Sequence, residues 1–374
     1  MILEKTTNTV KIGGFSHIRS VSIGGGFPVV IQTMWKDRLN FSNLDEAVTR
    51  IELLGELGCS LLRVAIPDIQ SADIVGRLAQ MVSMPLVADV HFDYKIALRC
   101  LDFPIAKLRI NPGNIGGKDK TLVILEKAAK HDIPIRIGIN SGSLPADIRK
   151  KVEEGLDTSE ALVQTAEREL AVLEKFGYNK HVISMKTSTI ADTIKANRIL
   201  AGRIQSPIHL GVTEAGPLIS GTVRNTAALI TLLAEGIGNT IRVSLSGSME
   251  DEVIAGKEIL RAAAEITSDN KRLKCSGVKI VSCPRCGRHG FDTHSFTAKW
   301  MPRLYALDKD ITIAIMGCEV NGLQEAKHAD LGITGAGNKV LIFKSGKVIK
   351  TITSDQADAA FEEELNKVCS KAEN

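Results

Sequence analysis

Short apolar runs rich in valine and isoleucine recur along the first two thirds of the chain, at residues 28–33, 61–66, 85–89, 107–110, 134–139, 181–185, 207–212 and 240–245. Each is followed by a segment with apolar residues at helical spacing, so eight strand-then-helix units are predicted. In the first helix Leu44, Val48, Ile51 and Leu54 share one face before Gly58 ends it. Eight such units make a parallel barrel, and the expected class is α/β, a (β/α)8 TIM barrel. Ahead of it, Val10-Lys-Ile-Gly-Gly14 and Val21-Ser-Ile-Gly-Gly-Gly26 read as a glycine-turned hairpin capping the barrel's bottom. The last barrel helix is predicted over 249–264, with a polar connector at 267–272.

Beyond that connector the pattern changes. Strands are predicted at 278–282, 311–316 and 340–343, a glycine-rich turn at 335–338 and a final helix over 355–369. This reads as a smaller α+β domain. The expected division is a barrel over residues 1–266 and a second domain over 273–374.

Composition narrows the function. With 44% hydrophobic and 24% charged residues among 374, the chain has the make-up of a globular protein, and no apolar run reaches the ~18 residues that a membrane helix needs. A net charge of +4 and 4% aromatics supply no stacking platform for nucleic acid. The opening residues, Met1-Ile-Leu-Glu-Lys-Thr-Thr-Asn8, lack the basic stretch and apolar run of a secretory signal. A reducing cytoplasmic setting is therefore expected, where grouped cysteines bind metal more often than they form disulfides.

Three cysteines near the C-terminus are grouped in that way: Cys283 and Cys286 in Cys-Pro-Arg-Cys, and Cys318 in Gly-Cys-Glu-Val-Asn-Gly. Soft thiolates hold iron–sulfur clusters or zinc. The nearest hard fourth donor is Glu325, seven residues after Cys318. Structural zinc would instead recruit His289, His294 or His328. Cys59, Cys100, Cys275 and Cys369 read as spectators, and Phe296, Trp300 and Met301 as core or contact residues.

In a barrel of this class the active site lies at the C-terminal ends of the strands. Those ends carry Arg63, Arg109, Arg136, Lys186 and Arg242. Five cations in one concave pocket repel one another unless a polyanion fills it, and the planar guanidinium suits phosphate oxygens. The bland alternative is internal pairing with Asp89 or Glu214. Asp89, His91, Asn111, Asn140 and Glu214 share the rim, where Glu214 and His91 suit proton transfer. For His91 the competing role is to orient a neighbour, and for Asn111 and Asn140 it is loop capping.

His91-Phe-Asp-Tyr, Leu108-Arg-Ile-Asn-Pro-Gly-Asn-Ile115, Ile135-Arg-Ile-Gly-Ile-Asn140, His209-Leu-Gly-Val-Thr-Glu214, Glu235-Gly-Ile-Gly-Asn-Thr-Ile-Arg-Val-Ser244, Ser282-Cys-Pro-Arg-Cys286 and Gly317-Cys-Glu-Val-Asn-Gly322 occur in this order. Together they resemble the bacterial 4-hydroxy-3-methylbut-2-en-1-yl diphosphate synthase family of the methylerythritol phosphate route. The resemblance implies reductive opening and dehydration of 2-C-methyl-D-erythritol 2,4-cyclodiphosphate. It implies a 4Fe-4S cluster on Cys283, Cys286, Cys318 and Glu325, fed by flavodoxin or ferredoxin. Arg63, Arg109, Arg136, Lys186, Arg242 and Ser244 would grip the diphosphate with help from Asn111 and Asn140. Asp89, His91 and Glu214 would lie near the reacting end. A homodimer is implied, the cluster domain of one subunit closing over its partner's barrel.

The sequence departs from the family in three places. Gln32-Thr-Met-Trp35-Lys36-Asp37-Arg38 stands where relatives usually have Gln-Ser-Met-Thr-Asn-Thr, Leu323-Gln324 replaces Pro-Gly, and Ser246-Gly247 replaces Ala-Asp. A non-catalytic iron–sulfur relay or sensor is the competing class of function, although a pure relay has no use for a polyanion pocket.

Overall fold

The computed structural model describes residues 6–112, 114–267 and 270–371; Gly113 of the fourth-strand loop and residues 268 and 269 of the connector lie outside them. The chain divides into two compact units, Met1–Cys275 and Ser276–Asn374.

In the first unit, strands β1 (Val10–Ile12) and β2 (Val21–Ile23) pair antiparallel as the expected hairpin. Their inward residues Val10, Ile12 and Ile23 pack on Val30, Leu61, Val87 and Val182, at the N-terminal ends of barrel strands, which seals that end. The barrel strands are β3 (Val30–Met34), β4 (Leu61–Ala65), β5 (Leu86–Val90), β6 (Lys107–Ile110), β7 (Ile135–Asn140), β8 (His181–Lys186), β9 (His209–Leu210) and β10 (Thr240–Ile241). They are parallel in the order β8-β7-β6-β5-β4-β3-β10-β9. A parallel bridge between Ile183 and Ile208 closes the ring.

Between the strands run α1 (Leu44–Glu56), α2 (Ile69–Ala79), α3 (Tyr94–Cys100), α4 (Lys118–Lys130), α5 (Ala146–Glu153), α6 (Thr158–Phe176), α7 (Ile190–Arg203) and α8 (Leu218–Ala234), and α9 (Met249–Thr267) follows the last strand. In α1 the residues Leu44, Ala47, Ile51 and Leu54 are buried, and the helix stops before Gly58. Asp68, Asp93, Asp157 and Thr189 cap α2, α3, α6 and α7 with their side chains, which satisfies first-turn N–H groups. No helix among the described residues is long and apolar enough to cross a membrane.

Strands β9 and β10 are shorter than the apolar runs at 207–212 and 240–245 predict. Helix α8 supplies the reason. Its buried Asn225 accepts from the Val212 N–H at 3.2 Å and donates to the Ser244 carbonyl at 3.5 Å, taking over two groups that a longer ladder would have used.

The second unit is one five-stranded sheet, ordered β11 (Lys279–Ser282), β12 (Thr312–Met316), β13 (Leu331–Ala336), β14 (Lys339–Lys344) and β15 (Lys347–Ile352). The first three strands are parallel and the last two antiparallel. Helices α10 (Thr293–Ala306) and α11 (Ala357–Lys371) complete it. Phe296, Trp300 and Leu304 lie at i, i+4 and i+8 on α10 and join Phe361 and Leu365 of α11 in the core. Phe296 and Trp300 are therefore core residues. Two strands, β13 and β15, and helix α10 were not predicted.

Candidate functional site

The register of the barrel strands determines which side chains meet at its C-terminal end. Asp89 lies opposite Arg109, and Arg109 opposite Arg136, across three adjacent strands. Asp89 is 2% exposed, accepts from Arg109 Nη1 at 2.9 Å, and has Arg63 Nε and His91 Nε2 each at 3.5 Å. His91 Nε2 also touches Arg109 Nη1. Burial opposes charge on Asp89, but Arg63, the His91 hydrogen bond, Arg109 and Arg136 outweigh it and hold the carboxyl far below the usual range. The pairing alternative therefore holds for Arg63 and Arg109 through Asp89.

Gly138 of β7 makes this geometry possible. A Cβ there would sit 2.5 Å from Arg109 Nε, so only glycine lets the guanidinium lie across the neighbouring strand.

Arg242 is held by a carboxylate that sequence reasoning missed: Glu252 of α9, whose Oε1 and Oε2 accept from Arg242 at 3.3 and 3.4 Å. Glu252 also accepts from Thr33 Oγ1 at 2.6 Å and from the Leu245 N–H at 3.0 Å. Arg136 and Lys186 differ from these paired cations. Arg136 is 1% exposed, and its Nε and Nη1, like Lys186 Nζ, have no hydrogen-bond partner among the described residues. Deeper in the barrel, Lys107 Nζ, His209 Nε2 and both polar atoms of Gln32 are also unsatisfied. Burial, then neighbouring cations, push Arg136, Lys186, Lys107 and His209 well below their ordinary pKa values. For Arg63 the same causes, partly offset by Asp89, bring it to about 10. Five cations, Arg63, Arg109, Arg136, Lys186 and Arg242, with Lys107 deeper in the barrel, thus stand against two carboxylates, Asp89 and Glu252. An uncompensated buried charge costs several kcal/mol, so this end of the barrel is built for an anion with several oxygens.

The remaining rim residues follow from their strand ends. Asn111 is buried just beyond β6, Asn140 ends β7 with its carbonyl accepting from Ser143 Oγ at 3.1 Å, and Ser244 is half-buried after β10. Glu214 is exposed and has φ of 54°, a left-handed conformation unfavourable for a glutamate. Such strain is a signal for function that the sequence does not carry. The divergent Trp35–Arg38 segment is anchored, with Trp35 buried beneath the Arg50 guanidinium and Lys36 3.0 Å from Glu252.

In the C-terminal unit the soft donors gather at the carboxyl ends of two parallel strands. Cys283 follows β11, its N–H donating to the Ile315 carbonyl of β12, and Cys318 lies two residues beyond β12. A Cβ on Gly317 would be 3.8 Å from Cys283 Sγ, so the backbone leading into Cys318 runs against that sulfur. The Arg285 N–H donates to the same sulfur at 3.4 Å. Cys283 and Cys318 are buried, while Cys286 and Glu325 are exposed. Glu325 ends a π-helical turn, Asn321–Glu325, a geometry frequent at functional sites. Among the described residues no three His, Cys, Asp or Glu side chains are grouped closely enough to hold a metal ion. The four proposed donors share one edge without forming a closed shell. Their chemistry, two buried thiols at adjacent strand ends with an exposed thiol and carboxylate on adjoining turns, fits a cluster with one weak ligand.

The other cysteines lie apart. Cys59 and Cys100 are buried, and burial pushes their thiols up to about 11 and about 12, which leaves them protonated and inert.

A family model described as "GcpE TIM-barrel domain" matches residues 9–257, and one described as "GcpE protein C-terminal domain" matches residues 279–367. The chain is 47% identical over 372 residues to the 4-hydroxy-3-methylbut-2-en-1-yl diphosphate synthase (flavodoxin) of Treponema pallidum (strain Nichols), covering 95% of this chain and 90% of that protein. The proteins so named from Treponema denticola and Caldicellulosiruptor saccharolyticus are 46% and 43% identical, covering 96% and 93% of this chain and 98% and 95% of theirs.

Proposed function

This chain belongs to the GcpE family, and from that membership we propose that it converts 2-C-methyl-D-erythritol 2,4-cyclodiphosphate to 4-hydroxy-3-methylbut-2-enyl diphosphate in isoprenoid biosynthesis. The observation that carries the reading is the pair of buried cations, Arg136 and Lys186, of which Arg136 Nε and Nη1 and Lys186 Nζ find no acceptor among the described residues. A cyclic diphosphate supplies the oxygens they lack. Arg63, Arg109, Arg242 and Ser244 complete the grip, and Asn111 and Asn140 orient the ring.

Asp89 fixes Arg63 and Arg109 and keeps the His91 ring turned inward, which makes it an organiser of the site. Glu214 and His91 exchange protons with the substrate hydroxyls, and the hydroxyl that departs as water needs one such proton. Cys283, Cys286, Cys318 and Glu325 would hold a 4Fe-4S cluster, which when bound would supply the electrons of a two-electron ring opening, one at a time, from reduced flavodoxin or ferredoxin. The cations would keep the phosphate oxygen freed by ring opening on the diphosphate they hold. In a cytoplasmic homodimer, the cluster domain of each subunit serves its partner's barrel.

Protein purified without oxygen and supplied with the cyclic diphosphate and an artificial reductant tests this reading. Brown protein that forms the alkenyl diphosphate supports it. Colourless, zinc-loaded protein that returns the substrate intact refutes it.

A further inference from the structure

The loops that follow β3 and β10 are joined by a polar knot around Glu252. Its carboxylate is fully buried and accepts from Thr33 Oγ1, the Leu245 N–H and Arg242, and Lys36 Nζ reaches its Oε1 at 3.0 Å. The same ammonium donates to the carbonyls of Leu245 at 2.9 Å and Gly247 at 2.6 Å, with that of Ser248 at 3.4 Å. An ammonium has three protons, so every donor of Lys36 is occupied and none is left for a ligand. Lys36 instead straps down residues 245–248, the segment that directly follows Ser244.

The sharing of one oxygen gives this strap its consequence. Lys36 and Arg242 both contact Glu252 Oε1, and the Arg242 bonds, 3.3 and 3.4 Å, lie at the long end of hydrogen-bonding range. A buried glutamate with only Arg242 beside it would draw the guanidinium into a tight bidentate pair. A second cation on the same oxygen satisfies part of that demand. We propose that Lys36 is a positioning residue for the diphosphate site, which keeps Arg242 free to grip an anion and fixes the loop that carries Ser244. The inference rests on the reading that Arg242 and Ser244 hold the diphosphate.

Lys36→Met, Lys36→Arg and the double variant Lys36→Met with Glu252→Gln test it in anaerobically prepared holoprotein. Calorimetric titration with inorganic diphosphate reports the anion site without any redox step, and steady-state assay with the cyclic diphosphate separates KM from kcat. Lys36→Met is expected to weaken inorganic diphosphate binding and raise KM about tenfold with kcat within about twofold, the scale of one charge-assisted hydrogen bond lost from binding. Lys36→Arg should retain most of the affinity. The double variant should regain it, because the carboxylate that captures Arg242 is gone.

Unchanged affinity in Lys36→Met overturns the proposal. So does a rise in KM joined to a fall in kcat and melting temperature that neither Lys36→Arg nor the double variant relieves, the signature of a structural strap. Wild-type protein that binds no inorganic diphosphate would refute the diphosphate reading itself, and this inference with it.

Discussion

In the barrel unit the charged side chains are held in place by protein contacts, with Arg136 and Lys186 buried and short of acceptors and Asp89 and Glu252 spacing their neighbours. In the C-terminal unit only half of the proposed donor set is sheltered, Cys283 and Cys318 being buried while Cys286 and Glu325 are exposed. The barrel holds its cations against their mutual repulsion through strand register, so binding energy is not spent on ordering them. The proposed cluster edge offers donors on adjoining turns that a metal centre would have to draw together, which would couple its local order to loading.

The largest expected effect falls on the unit that must assemble. Cys318→Ser should bleach the cluster and abolish turnover, yet leave the barrel's affinity for the cyclic diphosphate intact. Full iron content and activity in that variant would remove Cys318 from the ligand set. Glu214→Gln should keep both iron and substrate binding and lose about 10²–10⁴-fold in rate, the usual contribution of a general acid or base. An unimpaired rate would take this strained residue out of the mechanism.

Arg136→Ala sharpens the comparison from the barrel side. It should weaken cyclic diphosphate binding by about 10²-fold, or roughly 3 kcal/mol. The melting temperature of the ligand-free protein should hold or rise, because an uncompensated buried cation has been removed. A large fall in melting temperature with little change in affinity would make Arg136 structural.

The smallest effect is one of pH. His209 and His181 are kept neutral by burial, which lowers their pKa values in the folded state. Below about pH 6.5 the unfolded chain takes up protons that the folded chain refuses, so stability should decline as pH falls through that region. Thermal melts of the ligand-free protein should follow this trend, and His209→Gln should flatten it.

Much of the barrel is legible because each strand is a contiguous apolar run and each helix a local period. Its cations are legible for the same reason, since strand ends can be counted. Glu252 and Lys36 escape because their partners are remote in sequence: Thr33 and Glu252 are 219 residues apart, and no local pattern marks a carboxylate on α9 as the organiser of β3 and β10. Lys107 escapes for the opposite reason, because a lysine opening an apolar run reads as a flank when it is an inward-facing, fully buried residue of β6.

In the C-terminal unit the missed strand β13 contains Gly332 and runs into the predicted 335–338 turn, which narrows to Gly337-Asn338. Two glycines of the strand serve packing: a Cβ at Gly332 would fall 2.1 Å from the Phe343 ring, and one at Gly335 2.5 Å from the Gly290 backbone. Helix α10 was obscured by its internal Pro302, although its Phe296, Trp300 and Leu304 stripe is regular. The three grouped cysteines are visible as spacing. Their unequal exposure is not, because it depends on β11 lying parallel to β12.

The most direct test of this division of labour is calorimetric titration of the metal-free chain with the cyclic diphosphate. A barrel whose cation cup is prebuilt will bind one substrate per chain before any metal is loaded, and Arg136→Ala will abolish most of that heat. Binding that appears only after the cluster is in place would contradict it.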